Sequence, residues 1–261
     1  MNFKYKNIGV FDSGIGGISV LKSAISILPN EVFIYFGDSK NSPYGSKTQN
    51  EIIKLCINIC NFLIYENNCK AIVVACNTAS SAAINFLRKN YEPHIPIIGI
   101  EPALKPSIEY MKSFNLKGKI LVLATPFTIS GEKFKFLLEL YKDFDVYPIA
   151  LHKLAYMIEF NFPKDEIKNY LYDELKDYIR ETKAIVFGCT HYYFVLDIFK
   201  EIFGEDVKIF DGAYGTSIEL NRRLEKNNIK NDKFCKDKKK VFVYNSLGEE
   251  GILRSYRLLN F

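Results

Sequence analysis

The chain has 261 residues, with 35 lysines and arginines against 30 acidic residues and a formal charge of +5. A hydrophobic content of 48% and an aromatic content of 15% exclude a disordered chain and provide for a large core. No apolar run reaches the ~18 residues of a membrane span, and Met1 to Asn7 is polar and leads directly into a strand pattern. No signal peptide and no membrane partner are therefore expected, and the location implied is cytoplasmic. Six cysteines (56, 60, 69, 76, 189, 235) show no CxxC spacing, which argues against disulfides and zinc, so no metal is expected.

Strand and helix signals alternate along the chain. Asn7 to Phe11 reads as a strand, Ile18 to Leu28 as a helix, Val32 to Phe36 as a strand and Thr48 to Asn67 as a long helix. Ala71 to Ala75 is the next strand, Ser80 to Asn90 the next helix, and Ile97 to Ile100 a strand between prolines. The pattern then restarts with strand Lys119 to Leu123, helix Gly131 to Tyr141, strand Val146 to Ala150 and helix Lys164 to Thr182. Strand Ala184 to Phe187, helix Phe194 to Phe203, strand Val207 to Phe210, helix Thr216 to Asn227 and strand Val241 to Tyr244 complete it. Such alternation predicts an α/β protein built on parallel sheets. The lysine-rich stretch Lys226 to Lys240 has no interleaved arginines or stacking aromatics and reads as a solvated loop, so nucleic acid is not expected as a partner.

One segment occurs twice. Ala71-Ile72-Val73-Val74-Ala75-Cys76-Asn77-Thr78 is echoed by Ala184-Ile185-Val186-Phe187-Gly188-Cys189-Thr190-His191, and the two cysteines lie 113 positions apart. Ile8 to Phe11 has a fainter echo in Ile120 to Leu123. Two related halves that each present a thiol at a strand end can set two acid–base groups on opposite faces of one substrate, which inversion of a stereocentre requires. Ligands of open parallel sheets bind beyond the carboxyl ends of the strands. Those ends carry Asp12-Ser13-Gly14, Asp38-Ser39, Cys76-Asn77-Thr78, Glu101, Thr125, Cys189-Thr190-His191 and Asp211-Gly212. A thiol acts as a base only as thiolate, which a helix N-terminus favours, and Asn77, Thr78 and Thr190 are the candidate capping residues. Cys56 and Cys60, four apart on one helix face, read instead as buried small hydrophobes. The turn Asp12-Ser13-Gly14-Ile15-Gly16-Gly17 fits a dinucleotide fingerprint poorly: Ser19 stands where a third glycine belongs and Asp12 would face a pyrophosphate. A carboxylate ligand fits it better.

Taken together, Gly9 to Gly17, Gly37-Asp38-Ser39 with Pro43-Tyr44-Gly45, Ala75-Cys76-Asn77-Thr78-Ala79-Ser80, Gly99-Ile100-Glu101-Pro102 and Gly188-Cys189-Thr190-His191 closely resemble bacterial glutamate racemase. The matches span residues 8 to 213. The resemblance implies two pseudo-symmetric open parallel-sheet domains, doubly wound and flavodoxin-like, with the active site in the cleft between them. The division it suggests is 1–98 plus 209–261 on the Asp12 and Cys76 side, and 99–208 on the Cys189 and His191 side. It implies racemisation of L- and D-glutamate for peptidoglycan synthesis, without a cofactor, by Cys76 and Cys189. In the family the first cysteine deprotonates D-glutamate and the second L-glutamate. Asp12 and His191 would assist the two thiols, and Glu159 is carried over as a further catalytic residue. Asp12, Ser13, Tyr44, Gly45, Asn77, Thr78, Thr190 and His191 would bind the amino acid. A homodimer is implied, with DNA gyrase as a secondary partner of some relatives. A racemase of aspartate or another small acid, or a non-catalytic binding protein on the same scaffold, is the alternative. The chain departs from the family pattern at Tyr193 and Tyr156, each standing where a proline is usual, and at Tyr244-Asn245-Ser246-Leu247.

Overall fold

The computed structural model describes residues 3–92, 94–233 and 240–259. It divides into two compact units, Met1–Ile100 with Ala213–Phe261, and Glu101–Gly212. In the first unit β1 (Asn7–Asp12), α1 (Ile18–Ile27), β2 (Phe33–Gly37), α2 (Gln49–Asn61), β3 (Cys69–Val74), α3 (Asn77–Tyr91) and β4 (Ile97–Gly99) follow in order. In the second come α4 (Leu104–Ser113), β5 (Lys119–Ala124), α5 (Pro126–Ser130), α6 (Glu132–Leu140), β6 (Val146–Ala150), α7 (Leu154–Glu159), α8 (Lys164–Leu175), β7 (Thr182–Gly188), α9 (Leu196–Phe203) and β8 (Lys208–Asp211). The chain then re-enters the first unit with α10 (Ala213–Lys226), β9 (Val241–Asn245) and α11 (Glu249–Leu259).

The first sheet has strand order β4-β3-β1-β2-β9 and the second β6-β5-β7-β8, with every described pairing parallel. Read from the other edge, the second order is β8-β7-β5-β6, the same arrangement of four successive strands as β4-β3-β1-β2. The repeat extends to register: β1 against β3 slips between Asn7 and Ile8, and β5 against β7 slips between Lys119 and Ile120. The duplication legible in two cysteine segments is thus a duplication of topology.

Alternation along the strands fills both faces of the second sheet. Leu121, Leu123, Ile185 and Phe187 pack with α7, α8 and α9, while Ile120, Val122, Ala184 and Val186 pack with α4 and Phe134 of α6. Cys56 and Cys60 are buried on α2, as the four-residue spacing predicts. Part of the lysine-rich stretch lies outside the described residues, as does Cys235. In its described part Lys230 pairs with Glu225 at 2.7 Å.

Four helices fall where the sequence predicted none. Pro106 occupies the first turn of α4 and Pro126 the start of α5, where a missing N–H costs nothing. α7 is only six residues long. α11 buries only Gly251 and Ser255 and carries Glu249 and Glu250 in its first turn. The predicted helix from 164 to 182 is shorter, because α8 ends at Leu175 and Glu181 turns the chain at φ 70° into β7. The predicted helix from 48 to 67 ends in a π turn over Phe62–Glu66.

One buried ion pair ties together four separate segments of the first unit. Lys70 Nζ lies 2.7 Å from Glu31 Oε2, with both side chains essentially inaccessible. Lys70 also donates to the Lys4 carbonyl, and Glu31 Oε1 accepts from the Asn231 N–H at 2.8 Å. Burial pushes Glu31 up and Lys70 down, and each partly offsets the other's shift. Removing one partner leaves a buried charge uncompensated, so Lys70→Met is expected to cost about 3–5 kcal/mol in urea unfolding. Adding Glu31→Gln should recover part of that loss. A single variant within about 1 kcal/mol of the parent would show that the stranded carboxylate relaxes to water.

Candidate active site

At the carboxyl end of β1, Asp12 is fully buried. Its Oδ1 accepts the Gly14 N–H at 2.8 Å, and its main-chain carbonyl accepts the Asp38 N–H at 3.0 Å. The following turn leads to α1, whose cap, Gly17, contributes no side-chain bond. Next to β1 lies β3, and two residues beyond it Cys76 caps α3. The Cys76 sulfur accepts the Ala79 N–H at 3.4 Å and lies 3.6 Å from Ser13 Oγ. A sulfur held at a helix N-terminus faces unpaired N–H groups and the positive end of the helix dipole, which favour its anion.

The expectation that Asn77 and Thr78 cap this helix needs correction, since the cap is the cysteine itself. Asn77 and Thr78 are the first two helical residues, both buried. Asn77 Oδ1 is buried without a hydrogen-bond partner among the described residues. A buried acceptor left so costs about 1–3 kcal/mol and is satisfied when a ligand brings a donor.

A polar network backs this half-site. Tyr44, buried in a 3₁₀ turn over Tyr44–Ser46, donates its hydroxyl to Asp38 Oδ2 at 2.6 Å. Burial, then the Asp38 charge, pushes the Tyr44 hydroxyl well above its usual range, so it stays a donor. Asn41 Nδ2 donates to both Asp38 oxygens, at 2.9 and 3.1 Å. At the end of β9, Asn245 Nδ2 donates to Ser39 Oγ at 3.0 Å. Gly45 lies within the Tyr44 turn.

In the second unit Cys189 follows β7, which neighbours β5 as β3 neighbours β1. Here too the expected cap is displaced: Cys189 occupies the cap position and Thr190 begins the helix. That helix is a 3₁₀ turn over Thr190–Val195, and α9 starts only at Leu196. The cap makes no side-chain bond, and a short turn has a smaller dipole than α3. A histidine stands there instead. His191 is buried, with Nδ1 3.9 Å from Cys189 Sγ and Nε2 2.7 Å from Glu159 Oε2.

Burial alone would hold His191 down. The hydrogen bonds and charges of Cys189 and Glu159 outweigh it and raise the imidazole well above its usual value. The imidazole is therefore held between a sulfur and a carboxylate that both favour its protonated form. Glu159 reaches this position because it ends α7 on the buried side. Tyr156, where a proline is usual, stands on the exposed side with its ring 4.6 Å from that of Phe160. Tyr193, the other replaced proline, is likewise exposed. Both departures point away from the buried residues.

Each unit thus gathers its own predicted residues: Asp12, Ser13, Cys76, Asn77 and Thr78 in the first, Glu159, Cys189, Thr190 and His191 in the second. Sequence reasoning missed Tyr35, whose buried hydroxyl donates to the Gly14 carbonyl at 2.7 Å, and the roles of Asp38 and Asn245. The available signal was a lone hydroxyl in the apolar strand Phe33-Ile34-Tyr35-Phe36, which must find a partner when buried. Among the described residues no cluster of three or more His, Cys, Asp or Glu is arranged to hold a metal ion. No helix among them is long and apolar enough to cross a membrane.

Residues 16–213 match the family model for Asp/Glu/hydantoin racemases. A glutamate racemase of Clostridium novyi (strain NT) is 50% identical over 258 residues, covering 97% of this chain and 96% of that protein. A glutamate racemase isoform of Bacillus anthracis superposes with a TM-score of 0.83 at 31% identity, over 99% of this chain and 95% of its own. The Francisella tularensis glutamate racemase, solved in complex with D-glutamate, gives 0.81 at 29% identity over 99% and 95% of the two chains.

Proposed function

The chain belongs to the Asp/Glu/hydantoin racemase family and is an amino-acid racemase, an isomerase; from that premise we propose that it interconverts L- and D-glutamate by two-base proton transfer. The observation that carries this reading is the repeated unit, one thiol following the third strand of the same four-strand order in each sheet. One cysteine, as thiolate, takes the α-proton while the other, as thiol, donates to the opposite face of the α-carbon. Cys76 acts on D-glutamate and Cys189 on L-glutamate.

The α-C–H is a very weak acid, so thiolate basicity alone does not suffice. The charge that develops on the carboxylate must meet preorganised donors, an effect typically worth several kcal/mol. Backbone N–H groups of Ser13, Asn77, Thr78 and Thr190 fill that role, with Tyr44 and Gly45 completing the amino-acid site. The unpartnered Asn77 Oδ1 suits the α-ammonium group. Asp12 assists Cys76. His191, positioned by Glu159, holds a proton beside Cys189. No cofactor is required for these steps. D-glutamate made this way serves peptidoglycan synthesis, in the cytoplasm and from a homodimer.

A substrate panel tests the proposal. Purified protein without added pyridoxal phosphate should interconvert the glutamate enantiomers, with aspartate turned over far more slowly. Faster turnover of aspartate would reassign the substrate. Glutamate binding without α-proton exchange would leave a binding protein.

A further inference from the structure

The geometry points to Tyr35 as a positioning residue for racemisation, acting through the Gly14 peptide on Ser13 and Asp12; the inference rests on the racemase reading above. Tyr35 lies in β2, its side chain wholly buried, and its hydroxyl donates to the Gly14 carbonyl at 2.7 Å. The N–H of the same residue is held from the other side, donating to Asp12 Oδ1 at 2.8 Å. Gly14 is therefore clamped at both its polar groups. Ser13, directly before it, presents the hydroxyl that lies 3.6 Å from Cys76 Sγ.

The ring is closely packed by its surroundings. A Cβ added at Gly17 would lie 2.7 Å from Asp12 Cβ, 2.9 Å from Ala75 Cβ and 3.3 Å from Tyr35 Cε2. One added at Gly37 would lie 2.7 Å from the Gly14 carbonyl oxygen and 3.4 Å from Tyr35 Cε1. Two close backbone approaches thus flank the tyrosine ring, whose hydroxyl reaches the Gly14 carbonyl. Without that hydroxyl, the buried Gly14 carbonyl loses a donor and the turn carrying Asp12 and Ser13 loses one of its tethers. Reacting groups displaced by about 1 Å can cost about a hundredfold in rate.

Tyr35→Phe keeps the ring and deletes the clamp. The expected result is a fall in kcat of about ten- to a hundredfold with little change in KM. The defect should also be one-sided. The deuterium isotope effect on α-deuterated D-glutamate, whose deuteron goes to Cys76, should rise, while that on α-deuterated L-glutamate should not. Ser13→Ala should reproduce this one-sided effect, and the double variant should be no slower than the worse single one. A purely structural role would lower the unfolding midpoint and leave kcat per folded molecule and both isotope effects unchanged, which would overturn the proposal. If Tyr35→Phe does not fold, symmetric isotope effects in Ser13→Ala overturn it equally. A wild type that interconverts neither enantiomer overturns the racemase reading and this inference together.

Discussion

Cys76→Ser and Cys189→Ser should each lose glutamate racemisation by about a thousandfold, within the range typical for removing a proton-transfer group. Serine keeps the shape of the side chain, but its hydroxyl is a far weaker acid than a thiol, so neither capture nor donation of the α-proton can proceed at rate. The other described cysteines of the first unit do not substitute: burial pushes Cys60 and Cys69 up to about 12, and Cys56 well above its usual value. Cys56→Ala is the matched control and should keep turnover close to that of the parent. Steady-state assays from both enantiomers decide the matter. Near-normal turnover in either serine variant would refute the two-base account.

The second large effect concerns Glu159. Its carboxylate helps hold His191 protonated, and the largest single influence on that imidazole, burial, opposes protonation. In Glu159→Gln one of the two groups that raise the imidazole loses its charge while burial still opposes protonation, so His191 should release its proton at a lower pH. Turnover is expected to fall about a hundredfold at pH 8, and the alkaline limb of the pH–rate profile should move toward acid. The deficit should shrink as pH is lowered and His191 regains its proton.

The sign for stability follows the same proton. A histidine raised above its unfolded value of about 6.5 contributes fully below that value and loses the contribution as pH rises through its folded one. The stability gap between parent and variant should therefore be widest on the neutral-to-acid side and close at alkaline pH. A deficit in turnover that is independent of pH would show that Glu159 acts by packing alone.

Much of this was legible before any coordinates. Alternating apolar strands and amphipathic helices specify a doubly wound α/β chain, because buried parallel strands must be apolar throughout while helices need only one apolar face. Cys76 and Cys189 declared themselves by repetition, which single motifs cannot do. Local chemistry was less readable. A cysteine serving as its own helix cap, as Cys76 does toward Ala79, competes in sequence with the better-known caps Asn77 and Thr78. Glu159 meets His191 across 32 residues, a contact set by the packing of α7 against the turn after β7. Tyr35 looks like one more strand aromatic until its hydroxyl is seen on Gly14.

The central claim, two opposed bases, is tested most directly by racemising protiated L-glutamate in deuterated water and stopping at low conversion. Two thiols on opposite faces predict that the D-glutamate formed carries solvent deuterium at its α-carbon while the recovered L-glutamate remains protiated. The reverse reaction from D-glutamate should mirror that result. Deuterium appearing in the recovered substrate as fast as in the product, or product retaining the original proton, would mean that a single base serves both faces and would contradict the account.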